Sequence, residues 1–147
     1  MPTSRLPPAT PPTAPGRDGG PEAAPVILLV EDDEPLRYAL SRHLRRAGYH
    51  VLDTGSSIEA IGFLDEGRPV DLLVTDIVVP GRPHGSALAR MARLRRRDLR
   101  IIYLTGLSSI PENELAGAAG AVLRKPIDPG RLVHEIGRVL ESAPPDP

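Results

Sequence analysis

The sequence predicts an α/β fold in which a doubly wound sheet of five parallel strands carries helices on both faces. Two observations support this prediction. Five short apolar runs alternate with amphipathic segments of helical period, and the connections between them are short. Since crossovers between parallel strands are right-handed, a chain with this pattern is limited to a doubly wound topology. Such folds place their functional residues at the carboxyl ends of the strands.

The first three elements are a strand, a helix and a second strand. Residues 26–30, VILLV, form a continuous apolar run with β-branched side chains, which is typical of a strand covered on both faces. A helix follows, with Pro35 near its first turn and Gly48 at its end. Residues 49–52 predict a shorter second strand. The apolar side chains of the helix lie four residues apart: Leu36, Leu40 and Leu44.

The middle of the chain adds a helix, a strand and another helix. Ser56 and Glu59 have the spacing of a capping box, which predicts the start of a helix that Gly67 ends. Residues 72–75 predict the third strand. The helix after this strand is predicted from three apolar side chains at helical spacing: Leu88, Met91 and Leu94.

The last part of the pattern contains two strands and two helices. Residues 100–104 predict the fourth strand, and the Ala/Gly-rich residues 111–119 predict a weak helix. Residues 121–123 predict a brief fifth strand. The final helix is predicted from one apolar stripe: Leu132, Val133, Ile136, Val139 and Leu140.

Length and composition predict one globular domain over residues 26–141. Residues 1–25 contain eight of the 18 prolines and almost no large apolar side chains, so they predict a disordered tail. A proline-rich ligand for another protein is the alternative for this segment. Residues 142–147 predict a short C-terminal tail.

Charge and residue usage exclude several functions. The net charge is −1, which gives no general attraction to nucleic acid or to an anionic membrane. Aromatic residues make up 3% of the chain, too few for a base-stacking surface, and the absence of cysteine excludes disulfides and zinc–thiolate sites. No apolar run has the length of a membrane span or a signal peptide. We expect a cytoplasmic protein without a nucleic-acid or membrane partner.

Polar residues follow four of the five predicted strands. Glu31 and Asp32 follow the first strand, Asp76 the third, Thr105 the fourth, and Lys125 comes just after the fifth. Because the carboxyl ends of parallel strands meet at one edge, these side chains should lie close together. Crowded carboxylates repel one another, and Mg²⁺ is the oxygen-seeking cation that relieves such repulsion. An acidic helix start without a metal is the alternative.

This set of residues suits phosphoryl transfer. A carboxylate can attack phosphorus and form an acyl phosphate. Catalysis of that reaction consists mainly of positioning and charge stabilisation, to which Mg²⁺, a lysine and a hydroxyl all contribute. A Mg²⁺-dependent phosphohydrolase with an aspartyl nucleophile could use a similar set.

Four segments together resemble one known family. The chain resembles the receiver domain of bacterial two-component response regulators, the family of the chemotaxis regulator CheY, over about residues 26–141. This resemblance implies a flavodoxin-like fold and a stand-alone receiver similar to those of hybrid histidine kinases. The matching segments are ILLVEDDEPLR, DLLVTDIVVPG, IIYLTG and VLRKPID.

The resemblance implies a metal and phosphoacceptor site. Asp76 resembles the phosphoacceptor. Glu31 and Asp32 resemble the acidic pair that holds Mg²⁺, with Glu in place of the commoner Asp, and the backbone carbonyl of Val78 would be a further ligand. Thr105 resembles the switch hydroxyl.

The remaining implied roles concern residues beside this site. Lys125 resembles the lysine of the family, with a cis bond between Lys125 and Pro126. Asp33 and Glu34 are predicted as helix-start acids without a ligand role.

The sequence departs from the family pattern in several places. Val122 stands where the family usually has an aromatic residue, and Tyr103, two residues before Thr105, is the nearest candidate to replace it. The loop 80–85 is one residue longer than usual, and the stretch from Thr105 to Lys125 is about two residues shorter.

Two further side chains bear on the lifetime of an acyl phosphate. Val78 and Leu107 each lie two residues past a site residue, and neither can hydrogen-bond a water. We therefore expect slow intrinsic dephosphorylation.

The sequence thus predicts a single-domain response regulator with Mg²⁺ as cofactor. It would take a phosphoryl group from a sensor histidine kinase or phosphotransfer protein and act through contact with an unknown downstream protein, or by onward phosphotransfer. It would assist its own phosphorylation without being an enzyme. The phosphohydrolase and a degenerate receiver that serves as a scaffold are the alternatives. Whether the chain forms a homodimer stays open.

Two groups of charged residues suggest no further site. The four histidines lie far apart in the sequence, which favours surface positions over a metal site. A basic run predicts a solvated helix end, with a docking patch for an acidic partner as the alternative. It consists of Arg90, Arg93, Arg95, Arg96, Arg97 and Arg100.

Overall fold

The structure, a computed structural model, describes residues 23–78, 84–107, 110 and 114–142. In this part of the chain five strands and four helices alternate. They are β1 (Val26–Val30), α1 (Glu34–Arg46), β2 (His50–Thr54), α2 (Ser57–Asp65), β3 (Leu72–Asp76), α3 (Gly85–Arg95), β4 (Arg100–Thr105), β5 (Ala121–Arg124) and α4 (Pro129–Glu141). Most of the predicted tail 1–25, most of the loop 80–85 and residues 143–147 lie outside the described residues.

The strands form one parallel sheet in the order β2-β1-β3-β4-β5. This order reverses direction between β1 and β3, as in flavodoxin-like folds, and it confirms the predicted doubly wound sheet. Every residue of β1, β3 and β4 is buried, as expected for strands with helices on both sides.

Two apolar clusters hold the helices against the two faces of the sheet. On one face Ile27 and Leu29 of β1 pack with residues of α1 and α4, such as Leu40 and Ile136. On the other face the alternate β1 residues pack with α2 and α3, for example Leu28. Each fully buried Leu or Ile contributes about 1.5–3 kcal/mol, so both faces contribute to stability.

Local signals in the sequence start and end the helices as predicted. Asp33 caps α1 by accepting a hydrogen bond from the Leu36 N–H at 3.2 Å. Ser56 caps α2 in the same way through the Glu59 N–H at 3.1 Å. Each cap of this kind is worth about 1 kcal/mol. Gly48 follows the end of α1 and has a φ of 102°, a left-handed backbone conformation that glycine adopts more readily than other residues.

The weak helix predicted over 111–119 is wrong in the part that the structure describes. Residues 114–117 form turns, and residues 111–113 lie outside the described residues. Gly117 has a φ of 85°, which does not fit a right-handed helix. The turns are held from outside instead, since Arg90 of α3 donates to the carbonyl of Glu114 at 3.2 Å.

Two smaller predictions also need correction. Leu94 was expected on the apolar stripe of α3, but 83% of it is exposed, because the buried face of α3 consists of Leu88, Ala89 and Ala92. The second strand begins and ends later than 49–52, because its register pairs His50 with the first residue of β1 and Thr54 with the last.

Helix α3 begins in direct contact with the end of β3. The Gly85 N–H donates to the Ile77 carbonyl at 2.9 Å. A Cβ on Gly85 would lie 1.6 Å from the carbonyl oxygen of Asp76 and 2.7 Å from its carbonyl carbon. Only glycine permits this approach, because a backbone group cannot move aside as a flexible side chain can.

We expect Gly85→Ala to lower the free energy of unfolding by about 2 kcal/mol or more, since overpacking of a closed site costs about 1–3 kcal/mol. The matched control is Gly62→Ala, because no atom lies within 4 Å of its added Cβ inside α2. This control should raise stability by about 0.5–1 kcal/mol. Urea unfolding measures both, and equal effects of the two variants would contradict the close approach.

Candidate functional site

The carboxyl ends of four strands bring the predicted site residues together. Glu31 and Asp32 follow β1, Asp76 and Thr105 are the last residues of β3 and β4, and Lys125 follows β5. One carboxylate oxygen from each of Glu31, Asp32 and Asp76 lies within 4.8 Å of the others. Glu31, Asp76 and Thr105 are buried, whereas Asp32 is exposed. The site therefore consists of three buried side chains and one acidic side chain that is exposed to solvent.

Lys125 forms ion pairs with both buried acids. Its Nζ lies 3.0 Å from Oε1 of Glu31 and 3.0 Å from Oδ1 of Asp76. Its backbone N–H donates to the Thr105 carbonyl at 2.7 Å, which ties the lysine to the end of β4. The predicted cis bond between Lys125 and Pro126 is confirmed. One ammonium thus partly neutralises two buried carboxylates.

Glu31 has contacts on its side chain and on both of its backbone groups. Its Oε2 accepts from the Asp33 N–H at 3.1 Å, and its own N–H donates to the Thr54 carbonyl at 3.0 Å. Its carbonyl accepts from Nη1 of Arg37 at 2.8 Å. Sequence reasoning missed Arg37, although this residue closes the matching segment ILLVEDDEPLR. Its position six residues after Glu31 carries no periodic signal.

Burial and charge shift the protonation of the buried pair. Burial, with a further contribution from Glu31, raises the pKa of Asp76 to about 8, although Lys125 opposes the shift. Burial alone would lower the pKa of Lys125, but its hydrogen bonds to Asp76 and Glu31 raise the pKa overall. With one ammonium beside three acidic side chains, the site therefore has too little positive charge to keep all three ionised.

The donor set fits a divalent cation. Among the described residues, Oδ2 of Asp76 is a buried oxygen without a hydrogen-bond partner. Carboxylate and carbonyl oxygens are the ligands that Mg²⁺ prefers, and the acids here present no sulfur or nitrogen. Glu31, Asp32 and Asp76 have carboxylate oxygens close enough together to hold such an ion.

A pocket of about 160 Å³ opens beside Asp76. Val78 and Leu107 form its apolar rim, and they are 58% and 38% exposed. Oγ1 of Thr105 accepts from the Leu107 N–H at 2.9 Å, so the hydroxyl proton can still be donated. At about 30 Å³ per water, the pocket has room for a small tetrahedral group in place of solvent.

The aromatic residue near the site is held in place. Tyr103 is fully buried, and its hydroxyl donates to the carbonyl of Ala118. Burial raises the pKa of Tyr103 to about 12, so the hydroxyl keeps its proton. Val122 is 36% exposed and has no polar atom on its side chain. The described residues thus present a fixed tyrosine on β4 next to a partly exposed valine on β5.

The basic run makes contacts within the molecule, while Arg90, Arg95 and Arg97 are exposed, as expected for a solvated helix end. Arg95 pairs with Asp65, and Arg96 donates to the Leu64 carbonyl at the end of α2. Arg100 is buried and donates to the Ser142 carbonyl at 2.7 Å. Arg93 and Arg90 donate to backbone carbonyls as well. Five of the six arginines therefore support the fold.

Two other expectations can be compared with the structure. Among the described residues, the group of acidic side chains that could hold a metal ion is formed by Glu31, Asp32 and Asp76 and contains no histidine. No helix in the described part of the chain is long and apolar enough to cross a membrane.

Comparison with known proteins points in one direction. A family model for the response regulator receiver domain matches residues 27–137. The response regulator receiver protein CpdR of Brucella abortus is 40% identical over 119 residues, which cover 80% of this chain and 98% of CpdR. The sensor kinase CckA of Brucella abortus is 32% identical over 79% of this chain. The chain spans only 12% of that kinase.

Solved structures show the same similarity. A CheY-like receiver domain from Methanospirillum hungatei superimposes with a TM-score of 0.74 at 28% identity, covering 81% of this chain and 95% of that chain. The receiver domain of the hybrid histidine kinase CckA superimposes with a TM-score of 0.68 at 30% identity, covering 79% and 99%.

The raised pKa of Asp76 predicts a pH effect on stability when Mg²⁺ is absent. The unfolded chain loses this proton near the ordinary value of 3.8, whereas the native protein keeps it up to about pH 8. The free energy of unfolding should therefore fall as pH rises between these values, by up to about 1.4 kcal/mol per unit. Asp76→Asn removes this loss and should be more stable than wild type at pH 8.

Urea unfolding in EDTA at pH 5 and pH 8 measures the difference between the two proteins. Asp98→Asn is the control, because Asp98 is an exposed acid after α3. If the stability advantage of Asp76→Asn did not grow from pH 5 to pH 8, the buried carboxylate would not be protonated as described.

Proposed function

Because the chain belongs to the family of response regulator receiver domains of two-component signalling, we propose that it accepts a phosphoryl group on Asp76. The donor is the phosphohistidine of a sensor histidine kinase or of a phosphotransfer protein. The observation that carries the proposal is the position of Asp76, buried between Glu31 and Lys125 and open to a pocket on one side. The receiver region is proposed to extend over residues 26–141.

The chain's own residues supply most of the chemistry. An oxygen of Asp76 attacks phosphorus, a P–O bond forms as the P–N bond to the donor imidazole breaks, and the imidazole leaves with the electron pair. Lys125, already 3.0 Å from Asp76, can turn its ammonium to an oxygen of the incoming group. Thr105 can donate its hydroxyl proton to another oxygen. The fold holds these groups at fixed positions, which accounts for much of the rate.

Mg²⁺ is the proposed cofactor. When bound, it would neutralise oxygens of the transferring group and keep the carboxylates ionised. Asp32, Asp76 and the Val78 carbonyl are proposed as its ligands, with Glu31 acting directly or through water. Glu31 already binds Lys125 and the Asp33 N–H, which favours the indirect mode.

The signal is proposed to leave through protein contact. CpdR, which the chain spans over 98% of its length, is a receiver protein of similar size. The surface along the edge strand β5 is proposed for this contact, with the 114–117 turns beside it on one face of the sheet and α4 on the other. Onward phosphotransfer is the second route for the output.

Phospho-labelling tests the proposed function. Incubation with acetyl phosphate and Mg²⁺ should add the mass of one phosphoryl group, and EDTA should prevent the addition. Asp76→Asn should abolish it, since an amide cannot form the acyl phosphate. Asp98→Asn should label as wild type does. Intact-mass spectrometry gives the readout.

Two outcomes of this experiment would overturn the proposal. Repeated release of phosphate over many turnovers would favour the aspartyl phosphohydrolase. No adduct in wild type, with acetyl phosphate or with a beryllofluoride mimic, would favour a scaffold that takes no phosphoryl group.

The apolar rim predicts a slow loss of the phosphoryl group. Hydrolysis needs a water molecule placed in line with the acyl phosphate. The side chains of Val78 and Leu107 have no polar atom that could form a hydrogen bond with this water. We expect a lifetime of minutes or longer for wild type. Val78→Asn should shorten it by about threefold to tenfold, the effect of one hydrogen bond of about 0.5–1.5 kcal/mol.

Phosphate release after removal of the donor measures this lifetime. Val122→Asn is the matched control, because Val122 is also partly exposed but lies outside the pocket beside Asp76. Decay of wild type within seconds would refute the role given to the rim.

A further inference from the structure

The side chain of Arg37 links three segments next to the acidic site. Its Nη1 donates to the Glu31 carbonyl at 2.8 Å. Its Nε lies 3.5 Å from Oδ1 of Asp53 on β2, and its Nη2 lies 3.7 Å from Oε2 of Glu34 in the first turn of α1. The side chain is 19% exposed, so the guanidinium is largely withdrawn from solvent. It therefore joins α1 and β2 to the turn that carries Glu31 and Asp32.

Gly55 provides the space for this guanidinium. A Cβ on Gly55 would lie 2.7 Å from Nη1 of Arg37, while its next neighbours, Cα of Asp32 and the Glu31 carbonyl, would be at ordinary contact distances of 3.5 Å. An alanine at this position would thus press on Arg37 in particular. Glycine at position 55, directly after β2, therefore leaves room for the guanidinium of Arg37.

Arg45 offers an internal comparison. It also binds Asp53, with Nη2 at 3.3 Å from Oδ2, and donates to the Val51 carbonyl at 3.1 Å. Its side chain is 54% exposed, and its contacts with Asp53 and Val51 lie away from the acidic turn. The two arginines therefore share a partner but differ in their contact with Glu31.

We propose that Arg37 is a positioning residue for the metal site, which sets the Mg²⁺ affinity of the acidic turn by holding the Glu31 carbonyl against β2. Glu31 N–H is already bound to the Thr54 carbonyl, so Arg37 fixes the second backbone group of the same residue. Since the N–H and the carbonyl of Glu31 are both held by hydrogen bonds, the orientation of the backbone that leads into Asp32 is fixed. This inference rests on the proposed function, because it presumes that the acids bind Mg²⁺.

The charge of Arg37 and its role as a positioning residue predict opposite changes in Mg²⁺ affinity when Arg37 is removed. As a nearby cation, Arg37 repels Mg²⁺, so removal of its charge alone would tighten binding. As a positioning residue, it organises the ligands before the ion arrives, so its removal would weaken binding. The sign of the change in affinity therefore separates the two roles.

Isothermal titration calorimetry of the full chain, with Mg²⁺ as the only ligand, tests the proposal. Arg37→Ala should raise the dissociation constant by about threefold to tenfold, the range expected for one hydrogen bond from a charged donor. Arg37→Lys keeps the charge but loses the planar fork, so it should restore only part of the affinity. Arg45→Ala should stay within about twofold of wild type, since it removes a partner of Asp53 and leaves the Glu31 contact intact.

A double-mutant cycle with Gly55 gives an independent test. Gly55→Ala should weaken Mg²⁺ binding in the wild-type background by displacing Arg37. In the Arg37→Ala background the same change should have no further effect, because the clashing group is gone. Additive effects of the two substitutions would overturn the proposal, as would unchanged or tighter binding by Arg37→Ala.

These outcomes can be distinguished from failure of the proposed function. If wild type neither binds Mg²⁺ nor labels with acetyl phosphate, the proposed function fails. If wild type does both and Arg37→Ala binds Mg²⁺ as wild type does, only the role of Arg37 fails. Urea unfolding in EDTA confirms that each variant is folded before titration, and Gly55→Ala keeps the test available if Arg37→Ala does not fold.

Discussion

The burial of neighbouring carboxyl groups at one edge of the sheet is the constraint on which the rest of the site depends. Glu31 and Asp76 are buried with Asp32 beside them, and Lys125 is the ammonium that pairs with the buried two. Burial makes a cluster of this kind unfavourable and, with a further contribution from Glu31, raises the pKa of Asp76 to about 8, so Asp76 retains a proton far above its ordinary range. The same deficit of positive charge favours a cation at this cluster, and a bound cation would in turn favour the anionic oxygens of a transferring phosphoryl group.

The fold keeps this unfavourable cluster in place through its backbone. Gly85 lets α3 begin against the carbonyl of Asp76, and the Lys125 N–H is bound to the Thr105 carbonyl. Asp33 caps α1 while its own N–H binds Glu31, so one residue connects the start of the helix to the site. Apolar packing on both faces of the sheet supplies the stability that the charged edge gives up.

Much of the fold and of the candidate site could be predicted from the sequence, because apolar runs and cap residues are local signals. The strand 26–30 and the meeting of Glu31, Asp76 and Lys125 follow from such signals and from parallel topology. The failed helix over 111–119 depended on something not local, since hydrogen bonds from α3 and β4 hold its described part as turns. The contact of Gly85 with Asp76 could not be predicted from the sequence either, because it joins residues that only the tertiary structure brings together.

The arginines between residues 90 and 100 show how composition can mislead about recognition. In sequence they form a concentrated positive charge, yet five of them end on carbonyls or on Asp65 within the same molecule. These five side chains thus bind groups within the molecule, although Arg90 and Arg95 are also exposed. Charge reversal at one of these five arginines would consequently change contacts within the molecule as well as its surface charge, so loss of an interaction in such a variant would not by itself locate an interface.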